Sequence, residues 1–436
     1  MQSKSRYTLW SLAIPIAFEA FFQIMFGFAD TFVLSSFSDE AVAGVSYANQ
    51  IVSIVLLLFR VVASGTSILL AQAIGAQDRR QQSEICTAAF RLSLFLGLLA
   101  SAGIIAGRIP LLLALKVKSA LLPHAADYLE IMGIGLLFSS LFTVLTAIYR
   151  SNGKASYTSA IAIAANILNI LGDFLVVRGT FHFFGTVKDV ALVTICANGF
   201  SCLAALILLL SERNITLLRK PDFSAVRSIL YLGIPAAGES FSYKCSQLVV
   251  TMIIGLLGTQ ALAAKIYGMN LALFIVLLPD AIAAAAGIMA GVQIGENNLS
   301  AARKTSFQCI KKGTLAVIAV DLTLLLSGRF LLSHFTQQPD ILNMAYLVLL
   351  MESVTMFIKN VNLTLGNCLR ALKDVHYPVV ISVFSMWIIG TGLAWFLGVR
   401  LSLGLIGVFC AFFLDEGLRS LLLLRRWMQK TEPARG

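Results

Sequence analysis

The sequence predicts an all-α integral membrane protein of twelve transmembrane helices, arranged as two six-helix lobes related by a parallel pseudo-two-fold repeat. Three observations predict it. Hydrophobic residues make up 58% of the chain and charged residues only 13%, whereas soluble domains carry about 25% charged residues. Apolar runs long enough to cross about 30 Å of hydrocarbon as helices recur twelve times. The two halves also echo each other at an offset of 220 residues: Pro15 returns as Pro235, Glu19 as Glu239, Tyr47 as Tyr267, Ile74-Gly75 as Ile294-Gly295, and Arg150 as Arg370.

Taken in order, the first-half runs fall at 9–33, 43–73, 87–107, 124–148, 157–177 and 189–210. The second half supplies 229–257, 261–291, 313–332, 343–369, 377–397 and 403–424. The first run is too long for a signal-peptide core and lacks a small-residue cleavage site, so it is expected to be a retained helix. Six helices per half is an even number, so both halves enter the bilayer from the same side, as in parallel-repeat transporters. The N-terminal lobe is expected over 1–213, a basic cytoplasmic linker over 214–227, and the C-terminal lobe over 228–436.

Basic residues set the orientation, because positive loops resist translocation. With the N-terminus inside, the inner segments hold Arg79-Arg80, Arg150, Lys154, Arg303-Lys304, Lys311-Lys312, Arg370, Lys373 and Arg425-Arg426, while the outer loops hold only Arg108, Lys116, Lys118, Arg178, Lys188, Arg329 and Arg400. Both termini are therefore expected in the cytoplasm, with the chain multi-pass in the cytoplasmic (inner) membrane. The net charge of +11 is explained by this placement and by anionic lipid headgroups, so membrane lipids are expected partners and nucleic acid is not. Seven cysteines are odd in number and without CxxC spacing, and the four histidines are scattered. No cofactor site and no catalytic set is visible, which argues against an enzyme.

Several segments together resemble the multidrug and toxic compound extrusion (MATE) family: LAIPIAFEAFFQIMFGFADTFVLSSFSDEAVAGVSYANQI, AQAIGAQD, YRSNGKASY and NILNILGDFLVV in the first half, and LGIPAAGES, VQIGEN, LRALKD and GVFCAFFLDEGLRSLLLLRRW in the second. The likeness covers nearly the whole chain. It implies twelve helices in two lobes and export of small organic compounds driven by inward flow of H⁺ or Na⁺, by a protein expected to act as a monomer.

A carboxylate at mid-bilayer depth costs at least about 2.5 kcal/mol and is usually functional. Asp30 and Asp173 are such residues. On the fifth helix Asn166, Asn169 and Asp173 are spaced i, i+3 and i+7 and so share one face, a stripe of oxygen ligands. The resemblance implies that this stripe faces Asp30 as the N-lobe cation site, with Thr194 as its hydroxyl ligand. Two carboxylates converging in one cavity cannot both ionise cheaply, so the pair should titrate as a unit and protonation can be the coupling event. Hard oxygens suit Na⁺ equally, which makes Asp30, Asn169, Asp173 and Thr194 a candidate Na⁺ site. Pro15 removes one backbone hydrogen bond from the first helix and marks it as a hinge; it precedes Asp30 by fifteen residues, the spacing the family shows. Glu19, about three turns before Asp30, is a candidate proton relay, against the plainer reading that it ties the lobe together.

The second half does not copy this site. At the repeat offset Asp30 becomes Val250, Asn169 becomes Ile389 and Asp173 becomes Leu393. Lys244 and Lys359 fall at or next to positions where the NorM-like branch of the family carries acidic residues, which implies a DinF-like or divergent branch. These lysines are candidate receivers of an anionic or zwitterionic substrate; the plainer reading is pairing with Glu239, Asp280, Asp321 or Glu352. The phenylalanines of the first helix, Phe26 among them, offer an adaptable apolar surface for substrate. The alternative is a lipid-linked oligosaccharide flippase of the same superfamily, in which cationic residues would line both lobes.

Overall fold

A computed structural model of the protein describes residues 8–35, 38–177, 179, 187–211 and 223–432, and among these every regular element is helical. The first half contributes α1 (Leu9–Ser35), α2 (Asp39–Gly75), α3 (Arg79–Ala114), α4 (Leu122–Ser151), α5 (Ala155–Val177) and α6 (Val187–Ser211). The second contributes α7 (Phe223–Leu256), α8 (Thr259–Gly295), α9 (Leu299–Ser333), α10 (Pro339–Ala371), α11 (His376–Arg400) and α12 (Gly404–Thr431). Ten of these are long and apolar enough to cross a membrane by length and composition alone. The remaining two, α7 and α12, are 34 and 28 residues long but more polar.

The repeat is reproduced in detail. Displaced by 220, α2 runs from the first residue of α8 to its last, and α3 begins where α9 begins. The turn after α2 places Gln77 at φ 56°, and the turn after α8 places Asn297 at φ 57°. In each, the next residue caps the following helix, Asp78 accepting from the Gln81 amide and Asn298 from the Ala301 amide, which satisfies an otherwise orphan donor. The turns after α4 and α10 match as well, with Gly153 at φ 72° and Lys373 at φ 62°.

Packing follows the same plan in both halves. The fourth helix of each is central: α4 packs on α2, α3 and α6, and α10 packs on α8, α9 and α12. Several helices begin well before their apolar runs. The hydrocarbon-spanning stretch expected from residue 87 is preceded by two polar helical turns from Arg79, and the one expected from 313 by a longer basic extension from Leu299. Apolarity marks the bilayer, whereas the helix continues for as long as its backbone bonds are made.

Contacts divide the chain into two compact units, one of Phe18–Ala237 and one of Met1–Ala17 with Gly238–Gly436. The first turns of α1 thus group with second-half helices, and the first turns of α7 with first-half helices. Each boundary falls two residues beyond a helix proline, Pro15 or Pro235. Of the linker expected over 214–227, residues 214–222 lie outside the described residues and Phe223 already opens α7. Within the Phe18–Ala237 unit, α2 and α7 touch backbone to backbone at Gly65 and Gly233: a Cβ on either would overlap the carbonyl of Ile229 or of Val61 across the contact.

Candidate functional site

In the Phe18–Ala237 unit, α1, α2, α4, α5 and α6 surround a cavity of about 430 Å³. Glu19, Phe26 and Asp30 reach its wall from α1, Asn166 and Asn169 from α5, and Thr194 from α6. Phe26 is half-buried there. Asp173 stands behind the wall, fully buried, within electrostatic reach of Asp30. Tyr128 of α4 lies near both carboxylates, its hydroxyl bonded to Asn49. The helical spacing does put Asn166, Asn169 and Asp173 on one side of α5, and the fold brings that side together with Asp30 and Thr194.

Hydrogen bonding at this site is short of donors. Asn169 Nδ2 donates to Thr194 Oγ1 (3.2 Å), and that hydroxyl donates to the Val190 carbonyl (3.1 Å). Asn169 Oδ1, Asp30 Oδ1 and both carboxylate oxygens of Asp173 are buried with no hydrogen-bond partner among the described residues. A buried acceptor without a donor costs about 1–3 kcal/mol, more when charged, and these three residues carry four such oxygens.

Glu19 is placed differently. Its carboxylate is 2.8 Å from Arg150 Nη2 and accepts from Ser159 Oγ at 2.8 Å. The repeat mates do the same in the other unit, with Arg370 Nη2 2.6 Å from Glu239. A pair built twice, once in the half without the acidic stripe, is better explained as a tie between helices than as a relay.

The second half carries a charged cluster that the spacing of Lys244 and Lys359 did not reveal. Around a cavity of about 30 Å³, roomy enough for a water or two, stand Tyr243, Glu352, Lys359, Asp415, Glu416 and Arg419. Arg419 donates to Asp415 and Glu416, Asn362 donates to Glu416 at 2.6 Å, and Ser385 bonds Asp415. Lys359 lies 3.7 Å from Glu352, the pairing that the plainer reading expected. Lys265 donates to Thr251 at 2.9 Å. Lys244 is exposed and does not line this cavity, so the structure does not join it to Lys359. The missed signal was Asp415-Glu416 with Arg419 in the apolar run of α12, charges that a membrane helix carries only for a reason. At the positions matching the first-half site, Val250 is fully buried and Leu393 packs into the apolar core. Among the described residues no three His, Cys, Asp or Glu side chains gather as a metal site.

A sequence model of the MatE family matches residues 15–175 and 235–396, one match in each half. The chain belongs to the MATE family. It is a membrane transporter, not an enzyme. Among MATE relatives it is 33% identical to the uncharacterized transporter YisQ of Bacillus subtilis, covering 97% of this chain and 94% of that one. It is 25% identical to a probable multidrug resistance protein NorM of Thermotoga maritima, covering 96% and 91%. A solved MATE structure in a straight conformation superposes with TM-score 0.90 at 18% identity over 97% of this chain and 95% of that one, and one in a bent conformation with TM-score 0.89. These two share the fold.

Proposed function

We propose that this MATE transporter is a secondary active exporter of small organic compounds across the cytoplasmic membrane, with both termini inside, coupled to H⁺ or Na⁺ through Asp30, Asn166, Asn169, Asp173 and Thr194. The observation that carries this reading is the set of buried oxygens on Asp30, Asn169 and Asp173 that find no donor among the described residues. Asp173 follows Asn169 by four residues, one helical turn, and acceptors on one face of a helix are stabilised by a proton or cation shared between them. A protonated carboxyl becomes a donor, which Asn169 Oδ1 lacks; Na⁺ would be held by the same oxygens. The multidrug resistance naming of the NorM relatives supports export as the direction and toxic organic compounds as the cargo.

Coupling requires that ion and substrate compete. Asp30 lines the cavity and Asp173 backs it, so neutralising the pair removes the charge that holds the basic end of a substrate and changes the hydrogen bonds that α1 makes. Pro15, which leaves one turn of α1 short of a backbone bond, is where that helix bends in response. The test is drug susceptibility of a bacterial strain stripped of its own efflux pumps. The wild-type chain raises the tolerated concentration of some members of a panel of toxic organic compounds, and Asp173→Asn, expressed to the same level, does not. Equal protection by the two would overturn the reading.

A further inference from the structure

The first-half cavity holds one cation that the carboxylate site does not explain. Arg60 stands near the middle of α2 and lines the same cavity as Asp30. It is exposed to that space and has no hydrogen-bond or ion-pair partner among the described residues. Arginine at mid-helix depth in a membrane is costly and, where it faces a cavity, usually serves a ligand or an ion path. The other cation near this wall, Arg150, is engaged by Glu19. The titratable and charged groups on the cavity wall are therefore Glu19 and Asp30 from α1, Arg60 from α2 and Tyr128 from α4, and Arg60 alone offers an unused charged donor. A guanidinium presents a planar fork of N–H donors that matches a carboxylate or a similar oxyacid. The cavity, about 430 Å³, is within the range that encloses small organic ligands.

We infer that Arg60 binds an acidic group of the substrate, and that the transported class is zwitterionic: acidic end on Arg60, basic end toward Asp30. This rests on the exporter reading above for the role of Asp30. The sign of the coupling selects a zwitterion over a simple anion. Neutralising Asp30 and Asp173 makes the cavity more positive, which would tighten a purely anionic cargo and defeat exchange. A cargo whose basic end needs the ionised carboxylates is released by the same event, while Arg60 decides which cargoes enter.

The test compares a fluorescent rhodamine bearing a free carboxylate with its methyl ester, in which a methyl group replaces that negative charge. Binding of each to the purified full-length protein is followed by fluorescence anisotropy. The wild type should bind the acid about tenfold or more tightly than the ester, the worth of one charge-assisted hydrogen bond. Arg60→Gln should abolish that preference, and Arg60→Lys should restore part of it, which a misfolded variant would not do. Equal binding of acid and ester by the wild type, binding of neither, or an acid preference that survives in Arg60→Gln overturns the inference. Ester efflux that depends on Asp30, found together with equal binding or with an acid preference that survives in Arg60→Gln, would leave the exporter reading standing; acid preference lost in Arg60→Gln while Asp30→Asn exports normally would leave Arg60 standing and remove the coupling role of Asp30.

Discussion

Asp173 and Glu19 show how two acidic residues of the same half take different work from their surroundings. Asp173 is fully buried with neither oxygen bonded among the described residues, whereas Glu19 is held by Arg150 and Ser159. Both were legible in the sequence as intramembrane carboxylates, and only the fold distinguishes them, because the arginine that holds Glu19 is as distant along the chain as Arg370 is from Glu239, 131 residues. Breaking a partly buried charged pair leaves the arginine short of an acceptor, at a cost of about 1–3 kcal/mol. Glu19→Gln and Glu239→Gln are therefore each expected to lower the thermal unfolding temperature of the detergent-solubilised protein by similar amounts while ion-coupled efflux persists. Intact stability with abolished coupling in Glu19→Gln alone would return that residue to a relay. Arg60 stood in plain view inside the apolar run 43–73, yet its meaning depends on sharing a cavity with Asp30, which periodicity alone does not report.

At the scale of the helix, the sequence gives spans well and helix ends poorly, for a physical reason. Hydropathy records where side chains meet lipid, and α3 and α9 continue as polar helices beyond it. The turn residues carry the repeat more faithfully than the spans do: Gln77 and Asn297 adopt the same left-handed conformation, as do Gly153 and Lys373. The fifth helices of the two halves have diverged. Asn166 to Asp173 form regular α-helix in α5, while the corresponding stretch Met386–Leu393 of α11 is π-helical, with Thr391 bonding the Met386 carbonyl five residues back and the Ser246 hydroxyl. Such π turns concentrate where a side chain has been re-aimed for function, and here Gly390 lies against the Asp415 carboxylate. On α1 the hinge assigned to Pro15 makes its own prediction. Pro15→Ala restores the missing backbone bond, so the protein should fold at least as stably and export more slowly, read as unfolding temperature and initial efflux rate side by side. An unchanged rate would show that α1 does not bend there.

Across the whole molecule, two copies of one six-helix plan have been given different chemistry. The first half keeps Asp30, Asn169 and Asp173 in and behind the wall of a cavity of about 430 Å³; the second has Val250, Ile389 and Leu393 at the matching positions and gathers instead Glu352, Lys359, Asp415, Glu416 and Arg419 around about 30 Å³. The first asymmetry was readable from the 220-residue offset, because loss of a carboxylate is visible in one dimension. The second was not, because Glu352, Lys359 and the α12 charges meet only when α10 packs on α12. The central claim is that the first half does the coupling, and gradient-driven efflux tests it most directly. Proteoliposomes loaded with a carboxylate-bearing rhodamine are given either a pH gradient or a sodium gradient, with the wild type, Asp30→Asn and Asp173→Asn. One of the two gradients should accelerate efflux by the wild type, and neither Asn variant should respond to it. Efflux from Asp30→Asn or Asp173→Asn that follows the gradient as the wild type does would contradict the account.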